Sequence, residues 1–286
     1  MKKIIAFLVV VFIVGTALKA EKRPDPQPAP ETNEAFKLGM AGYTFVKFGI
    51  DKTLETLKQA DIHYLCIKDF HLALSSTDEQ IELFNAKLEE NGITGYAVGP
   101  IYMKNKVEVD RAFEYAKRVG VKLIVGVPEY DLLPYVDKKV KEYNFKMAIH
   151  LHGPDINKYP DAKDVWDHVN DLDPRIGMCF DMGHDTRNGN DAVQDLKKYH
   201  SRIFDIHLKD VTGNTGAGYS VEVGRGIIDF PAMVNMLRKV NYNGVVSLEH
   251  ERQMDNPFMG IAESIGYFRG VITSTQNKQI QRNTHL

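Results

Sequence analysis

The chain has 286 residues, of which 43% are hydrophobic and 26% are charged, and its formal net charge is −2 at pH 7. This composition is typical of a globular protein and excludes a largely disordered chain. The small negative charge also disfavours a nucleic-acid-binding protein, because such a protein needs a basic surface to contact phosphates.

The first twenty residues have the pattern of an export signal. Lys2 and Lys3 precede an apolar run over residues 4–18, and Ala20 offers a small residue for cleavage, with an earlier cut after Ala17 as the alternative. Because a spanning helix needs roughly 20 apolar residues, this run is too short for a membrane anchor. We therefore expect a signal peptide over residues 1–20, no stable membrane span after its cleavage, and export to the periplasm or the extracellular space. Cleavage changes the formal charge from −2 to −5, since it removes three lysines and no acids.

Residues 21–35 follow as a predicted Pro-rich linker. Prolines at every second position from Pro24 to Pro30 favour an extended chain that cannot pack into a core. The folded domain is therefore predicted over residues 36–286. Within that domain, the polar tail from Thr273 onward is expected to be a frayed terminus.

Eight apolar segments of the domain are predicted strands, and segments with helical periodicity separate them. Thr77 and Gln80 form a capping box before one helix, and Gly120 ends the next. Eight such units in about 250 residues predict an α/β fold, a single (β/α)8 TIM barrel. An open doubly wound sheet is the alternative, but no Gly-rich phosphate-binding turn follows the first strand. The predicted strands cover residues 38–43, 64–67, 94–98, 122–127, 146–150, 176–180, 203–208 and 245–248.

The two cysteines of the chain, Cys66 and Cys179, both lie in predicted strands. Buried free thiols are expected at these positions, because a cysteine in an apolar strand packs as a small hydrophobic residue. A disulfide bond between the two residues is the alternative.

Polar side chains follow the apolar residues of four later strands. Because alternate residues of a strand share a face, His150 and His152 point the same way, as do His207 and Lys209. The carboxyl ends of neighbouring barrel strands meet at one rim, where histidines and carboxylates can converge on a metal ion. A hydrogen-bonded residue of the barrel interior is the alternative for each position taken alone. The four segments are residues 149–152, 179–184, 206–209 and 247–250.

These segments resemble those of the xylose isomerase-like TIM-barrel proteins, which include sugar isomerases, sugar 3-epimerases, hydroxypyruvate isomerase and, more distantly, apurinic endonucleases. The resemblance rests on Asp181 with His184, on the sequence Asp-Ile-His-Leu-Lys-Asp around His207, and on Glu249 after an apolar strand. It implies that the protein binds one divalent metal ion, with manganese, magnesium, cobalt and zinc as the candidates. The implied ligands are His150, or His152 in its place, together with Asp181, His207 and Glu249.

His150 departs from the family pattern, because the epimerases have the sequence Glu-Asn-His at this place. The resemblance implies a facing pair of glutamates in those enzymes, one removing the proton next to a carbonyl and the other returning it on the opposite face. Glu249 alone remains of that pair. Lys68 and Lys209 are therefore candidates for the second acid or base, or for stabilising an enolate. A solvated lysine at a strand end is the alternative for each.

Substrate-binding residues are expected in the loops that follow the strands. The resemblance implies that His184 contacts the substrate and takes part in catalysis. His152, His71 and Arg225 are further candidates, and Arg225 lies in a Gly-rich loop where its guanidinium can bind a hydroxyl or a carboxylate. The alternative is a loop cap for His184 and a solvated side chain for Arg225.

The implied function is that of a divalent-metal-dependent sugar isomerase or epimerase, which removes a proton alpha to a carbonyl and stabilises the resulting enediolate. An exported enzyme meets unphosphorylated carbohydrates, so a small unphosphorylated sugar is the expected substrate. One alternative is β-elimination by a 3-keto-glycoside 1,2-lyase, which needs a single strong base. Another alternative is a sugar-binding barrel without turnover. No nucleic-acid partner is expected, and a homo-oligomer is left open.

Overall fold

Eight parallel strands close into a barrel in the computed structural model, which describes residues 34–283. Each strand pairs with the strands before and after it in the chain, and the last pairs with the first. The predicted (β/α)8 TIM barrel is thereby confirmed. The barrel strands are β1 (Lys37–Ala41), β2 (Tyr64–Ile67), β3 (Thr94–Met103), β4 (Leu123–Pro128), β5 (Lys146–His150), β6 (Ile176–Asp181), β7 (Ile203–Leu208) and β8 (Val245–Leu248).

Helices connect the strands around the outside of the barrel, and several connections contain additional short elements. A two-stranded antiparallel hairpin, Asp210–Val211 with Ser220–Val221, follows β7. Single 3-10 turns cover Gly42–Phe45, Tyr130–Leu132, Gly153–Asp155 and His200–Arg202. The α-helices of the described residues are α1 (Ile50–Gln59), α2 (Asp78–Glu90), α3 (Lys106–Val119), α4 (Leu133–Tyr143), α5 (Ala162–Val169), α6 (Met182–Arg187), α7 (Ala192–Tyr199), α8 (Phe230–Lys239) and α9 (Phe258–Asn283).

Two helix ends follow the signals that the sequence contains. At the start of α2, the Gln80 N–H donates to Thr77 Oγ1 at 3.2 Å, and the Thr77 N–H donates to Gln80 Oε1 at 2.9 Å. This reciprocal pair is the predicted capping box. At the end of α3, Gly120 has φ +88°, a conformation that glycine adopts without steric cost.

A polar layer in the barrel interior fixes which strand residues point inward. The hydroxyl of Tyr96 on β3 lies 3.0 Å from Asp205 Oδ1 on β7 and 3.1 Å from Ser247 Oγ on β8. Because β3 does not neighbour either strand, these contacts run through the interior. Asp205 and Ser247 therefore face inward, and the alternation of strand side chains turns His207 and Glu249 inward as well.

Both cysteines are buried and free, as predicted. Cys66 and Cys179 belong to one cluster of small buried residues that also includes Ala97, Val125 and Ala148. The thiol of Cys179 lies 3.6 Å from Asp205 Oδ2, so this cluster adjoins the polar layer.

Strand β3 is longer than predicted. The predicted strand ends at Val98, whereas Ile101, Tyr102 and Met103 continue to pair with β4 after a register shift. The additional residues bring Tyr102 to the rim that carries the polar strand ends.

The predictions for the two chain ends have different outcomes. The predicted signal peptide and residues 21–33 of the predicted linker lie outside the described residues, as do residues 284–286. The prediction of a frayed tail from Thr273 is wrong as far as Asn283, because α9 continues through this segment and its residue Thr275 is buried. Over residues 34–283, no helix combines the length and hydropathy needed to cross a membrane.

Candidate metal centre and active site

Four buried side chains converge at the carboxyl ends of β5 to β8. Asp181 and His207 are direct partners in the β6–β7 register, and the Glu249 N–H donates to Leu208 O of β7 at 3.1 Å. His150 ends β5, on the other side of β6. One ligand atom from each of the four residues lies within 4.8 Å of the others. The structure therefore brings together the four residues that the family resemblance implied as ligands.

The distances within this cluster identify which atoms face its centre. His207 Nδ1 lies 3.2 Å from His150 Nε2, 3.1 Å from Glu249 Oε2 and 3.7 Å from Asp181 Oδ2. Asp181 Oδ2 is buried and forms no well-directed hydrogen bond, and the Lys209 ammonium lies 3.0 Å from it. Two imidazole nitrogens and two carboxylate oxygens are a donor set that suits zinc, manganese or cobalt. The residues present thus fit a divalent metal ion.

Proton affinities in the cluster reflect the close approach of these groups. Burial and the neighbouring His207 lower the pKa of His150. Burial alone would also lower the pKa of His207, but Cys179 and Glu249 raise it well above the usual value. Burial acts to raise the pKa of Glu249, yet His207 and Lys209 outweigh it and lower that pKa. The lowered pKa of Glu249 favours its carboxylate form at neutral pH, which is the form that binds a metal ion.

Lys209 is the fifth member of the site. Its Nζ lies 3.0 Å from Asp181 Oδ2, 2.8 Å from Glu249 Oε2 and 2.9 Å from Glu251 Oε2, and the residue is only 2% exposed. Burial acts to lower the pKa of Lys209, but the three carboxylates raise it well above its usual value. The raised pKa favours one of the two roles considered for Lys209, that of a charged ammonium that stabilises an anion, over that of a neutral base.

His184 borders the cluster from the start of α6. Its backbone N–H donates to Asp181 Oδ1 at 2.8 Å, so Asp181 caps this helix while its other oxygen faces the cluster. The ring Nε2 lies 3.3 Å from Lys209 Nζ. Burial lowers the pKa of His184 to about 4, with Asp181 opposing and Lys209 reinforcing the shift. The ring is therefore neutral at physiological pH and its lone pair faces the ammonium.

His152 lies beside His150 but contacts different groups. Its Nδ1 is 3.0 Å from Lys158 O, and its Nε2 is 3.0 Å from the hydroxyl of Tyr102. Because a carbonyl oxygen only accepts, Nδ1 carries the ring hydrogen of the neutral imidazole and Nε2 accepts from Tyr102. Burial lowers the pKa of His152, which favours this neutral form. In the described structure His150, rather than His152, belongs to the metal cluster.

Two residues of the site escaped the sequence analysis. Glu251 lies two positions after Glu249 and shares its inward parity, which was a usable signal. Tyr102 lies beyond the predicted end of β3, so its position at the rim followed only from the extended pairing with β4.

Three other candidates lie outside the contacts of the cluster. Lys68 pairs with its neighbour Asp69 and lies over the ring of Phe70. His71 Nε2 is 3.2 Å from both Thr53 Oγ1 and Phe48 O, contacts that fasten the loop after β2 to the start of α1. Arg225 is 62% exposed and forms a bidentate ion pair with Glu263. For Lys68, His71 and Arg225, the roles in catalysis or substrate binding stay predictions.

The fold and the ligand set together define a class, a parallel TIM barrel with a candidate divalent-metal site at the rim where such barrels carry their active sites. The family described as the xylose isomerase-like TIM barrel matches residues 40–271. The chain belongs to this family, in agreement with the resemblance seen in the sequence.

Individual relatives indicate what kinds of protein resemble this one. An inosose dehydratase from Mesomycoplasma hyopneumoniae strain 7448 is 22% identical over 240 residues, which cover 68% of this chain and 79% of that protein. The structure of the IolI protein with a zinc atom has a TM-score of 0.64 and 19% identity, covering 86% of this chain and 99% of that one. The 3-keto-D-glucoside 4-epimerase YcjR from E. coli has a TM-score of 0.65 and 18% identity, covering 82% and 99%. These similar proteins include sugar-modifying enzymes.

Proposed function

We propose that this protein is a divalent-metal-dependent enzyme that removes the proton alpha to a carbonyl of an unphosphorylated carbohydrate. The observation that carries this proposal is the buried cluster of His150, Asp181, His207 and Glu249, with the Lys209 ammonium beside it. When bound, a divalent metal ion supplies positive charge that polarises the substrate carbonyl.

The residues around the metal position divide the remaining work. Glu249, whose pKa is lowered, is the carboxylate available to accept the proton. Lys209 supplies a fixed positive charge 2.8 Å from Glu249 Oε2. This charge can stabilise the substrate carbonyl oxygen, which becomes negative when the neighbouring proton is removed. The Tyr102 hydroxyl lies on the β3–β5 side of the rim, across from β8, and donates to His152 in this structure. It is our candidate for donating a proton to the substrate, for which its O–H bond must turn away from His152.

Of the possible outcomes of proton abstraction, we propose β-elimination. An epimerase that works with two facing carboxylates needs one on strand five, and this chain has His150 at that place. Elimination needs one base, Glu249, and one acid that protonates the leaving oxygen, for which Tyr102 is the candidate. The similarity to an inosose dehydratase supports the same outcome, since its name denotes an elimination of water.

Isomerisation or epimerisation is the second candidate. The Tyr102–His152 pair favours it, because a proton donor across the rim from Glu249 could return a proton to the opposite face of the substrate. The structural likeness to a 3-keto-D-glucoside 4-epimerase agrees with this outcome, although at 18% identity that likeness reaches only the fold.

We also propose that the enzyme acts outside the cytoplasm. The support is the pattern of Lys2 and Lys3 before the apolar run of residues 4–18. Expression of the full chain followed by cell fractionation and mass spectrometry tests this directly. A product shortened by the first 17 to 20 residues in the exported fraction is expected, whereas a full-length product retained in the cytoplasm contradicts it.

The first experiment on function compares the metal content of wild-type protein, Asp181→Asn and Asp167→Asn by elemental analysis. Asp181→Asn removes a buried ligand, whereas Asp167→Asn changes an exposed carboxylate of α5. We expect one divalent ion per wild-type chain and per Asp167→Asn chain, and a loss in Asp181→Asn. Equal metal in all three proteins, or none in any after incubation with manganese, cobalt or zinc, contradicts the proposed site.

The reaction is then tested in deuterated water with 3-keto-glycosides and other keto sugars. Release of the leaving group supports elimination, and deuterium incorporation without cleavage supports isomerisation or epimerisation. A metal-loaded protein that does neither with any of these substrates, while still binding them, is a sugar-binding barrel and overturns the proposed enzyme.

A further inference from the structure

Two overlapping groups of side chains occupy the rim of the barrel. The first is the metal cluster, and the second consists of His184, Glu249 and Glu251, whose ligand atoms also lie within 4.8 Å of one another. Glu249 belongs to both groups. The second group therefore raises the question of whether the site takes one divalent ion or two.

The ammonium of Lys209 already occupies the second group. Lys209 Nζ lies 2.8 Å from Glu249 Oε2, 2.9 Å from Glu251 Oε2 and 3.3 Å from His184 Nε2. It therefore contacts all three members of that group. A second metal ion would have to displace a buried ammonium, so the site has room for one divalent ion beside one built-in cation.

The same ammonium competes with the metal ion for ligand oxygens. Lys209 Nζ is 3.0 Å from Asp181 Oδ2 and 2.8 Å from Glu249 Oε2, and both atoms face the metal cluster. An ammonium and a divalent ion a few ångströms apart repel each other strongly where water is excluded. The two cations therefore need a further anion that the ammonium can keep when the metal ion takes Asp181 and Glu249.

Glu251 is that anion. It contacts Lys209 but is not among the four residues of the metal cluster, and its side chain is 28% exposed against 3% for Glu249. With Glu251 included, three carboxylates balance the charges of one ammonium and one divalent ion. Without it, the two carboxylate ligands balance the divalent ion alone and leave the buried ammonium uncompensated.

We propose that Glu251 is a positioning residue that holds the Lys209 ammonium beside the metal ion and thereby sets the affinity of the site for one divalent ion. This inference rests on the metal centre of the proposed function but concerns a residue outside the ligand set. Glu251 acts through Lys209 and through charge balance.

The test measures Mn²⁺ binding by equilibrium dialysis of chelator-treated protein, without any substrate. Glu251→Gln keeps the size of the side chain and removes its charge, and we expect it to weaken Mn²⁺ binding about 10- to 100-fold. Lys209→Met removes the competing ammonium and is expected to bind Mn²⁺ more tightly than wild type. The double variant Glu251→Gln/Lys209→Met loses both charges and is expected to return to within about threefold of wild type.

A matched control removes a carboxylate that does not contact Lys209. Glu263 lies near the start of α9, and the substitution Glu263→Gln breaks only its exposed ion pair with Arg225. Because such pairs interact weakly with distant buried charges, Mn²⁺ affinity in this variant is expected to stay within about twofold of wild type. A loss in Glu263→Gln as large as in Glu251→Gln would mean that any lost negative charge weakens binding, which overturns the specific role of Glu251.

The remaining outcomes separate this inference from the proposed function. Wild-type protein that binds one Mn²⁺ while Glu251→Gln binds equally well, or a double variant no tighter than Glu251→Gln, overturns the role of Glu251 and leaves the metal-dependent enzyme intact. Two Mn²⁺ per wild-type chain overturns the assignment of the second group to Lys209. Failure of wild type to bind Mn²⁺ overturns both proposals. If Glu251→Gln does not fold, Lys209→Met still decides, because unchanged or weaker binding contradicts the inference.

Discussion

Asp205 illustrates how a single buried carboxylate supports the layer beneath the metal cluster. It is fully buried, accepts hydrogen bonds from Tyr96 and the Cys179 thiol, and lies 3.9 Å from His207 Nε2 through its Oδ2. Burial raises the pKa of Asp205 to about 6, with His207 and Tyr96 opposing the shift. At neutral pH the group is thus a carboxylate that needs its hydrogen-bond donors.

Removal of one donor tests this dependence. In Tyr96→Phe the carboxylate of Asp205 loses the hydroxyl at 3.0 Å, and the free energy of unfolding is expected to fall by about 1–3 kcal/mol. Chemical denaturation at pH 7.5 measures the change. Tyr219→Phe, the same substitution at an exposed residue, is the control and should leave stability unchanged within about 0.5 kcal/mol. A Tyr96→Phe protein as stable as its control would contradict the account.

His71, a predicted substrate-binding residue, gives a prediction of a different kind. Burial lowers its pKa to about 4, although the Phe48 carbonyl opposes the shift. As pH falls below about 6.5, the unfolded chain binds a proton that folded His71 excludes until about pH 4. The free energy of unfolding therefore decreases with falling pH in this window, by up to about 1.4 kcal/mol per pH unit from this residue.

The variant His71→Gln removes that contribution and keeps an amide that can donate to Phe48 O. Denaturation of metal-free wild type and variant between pH 4 and 7 is expected to give a shallower loss of stability for His71→Gln. His63→Gln, at an exposed histidine, should follow the wild-type profile. Superimposed profiles for His71→Gln and wild type would show that His71 is not buried as described.

At the scale of the element, strand ends determine where the loops of the rim begin, and helix starts determine where they end. The capping box of α2 is an example, since Thr77 satisfies one backbone donor of the first turn and Gln80 satisfies the N–H of Thr77 itself. Thr77→Ala is expected to lower the free energy of unfolding by about 1 kcal/mol, measured by thermal or chemical denaturation. Thr273→Ala on the exposed side of α9 is the matched control, with an expected change of at most about 0.5 kcal/mol. Equal effects of the two substitutions would argue against a contribution from the cap.

Element boundaries also show how far local patterns reach. Strand β5 has its predicted bounds because a short apolar run ends in polar residues, which is a local signal. Strand β3 was predicted five residues too short, because Gly99-Pro100 has the local pattern of a strand end. Its continuation depends on pairing of Ile101, Tyr102 and Met103 with β4, a contact that exists only once the barrel is assembled. The proton donor that we propose, Tyr102, was missed for this reason.

At the scale of the whole molecule, one largely buried arginine side chain connects α8 with residues near both ends of the described chain. Arg238 of α8 donates to Glu34 before β1 at 2.6 Å, and to Thr275 Oγ1 and Ile272 O of α9 at 2.7 and 2.9 Å. The side chains of Arg238 and Glu34 are 13% and 5% exposed. The contact between the first and last strand–helix units of the barrel therefore includes a largely buried ion pair.

Arg238→Ala leaves Glu34 without its partner, and the free energy of unfolding is expected to fall by about 3–5 kcal/mol. Lys163→Ala breaks an exposed pair with Asp167 within α5 and is expected to change stability by about 0.5 kcal/mol or less. Urea denaturation of both variants measures the contrast. A decrease in the free energy of unfolding for Arg238→Ala no larger than for Lys163→Ala would contradict a stabilising contact of Arg238 with the two chain ends.

The sequence by itself determined the barrel and the strand ends that carry the metal cluster. Strand periodicity and helix-end signals act over a few residues, and inward parity at the strand ends is a consequence of that periodicity. Once eight units close, residues such as Asp181 and His207 become neighbours. The resemblance to a family added the identity of the four positions, which local patterns alone left open against residues of the barrel interior.

Only the tertiary structure decided which charges meet. The three carboxylates around Lys209 come from β6 and from the segment that follows β8, so their distances depend on strand register and loop path. The same holds for Arg225, which contacts Glu263, and for His71, which contacts Thr53 and Phe48. Their roles in substrate binding stay predictions. Hydrogen bonds and ion pairs act over a few ångströms, and the sequence does not contain those distances.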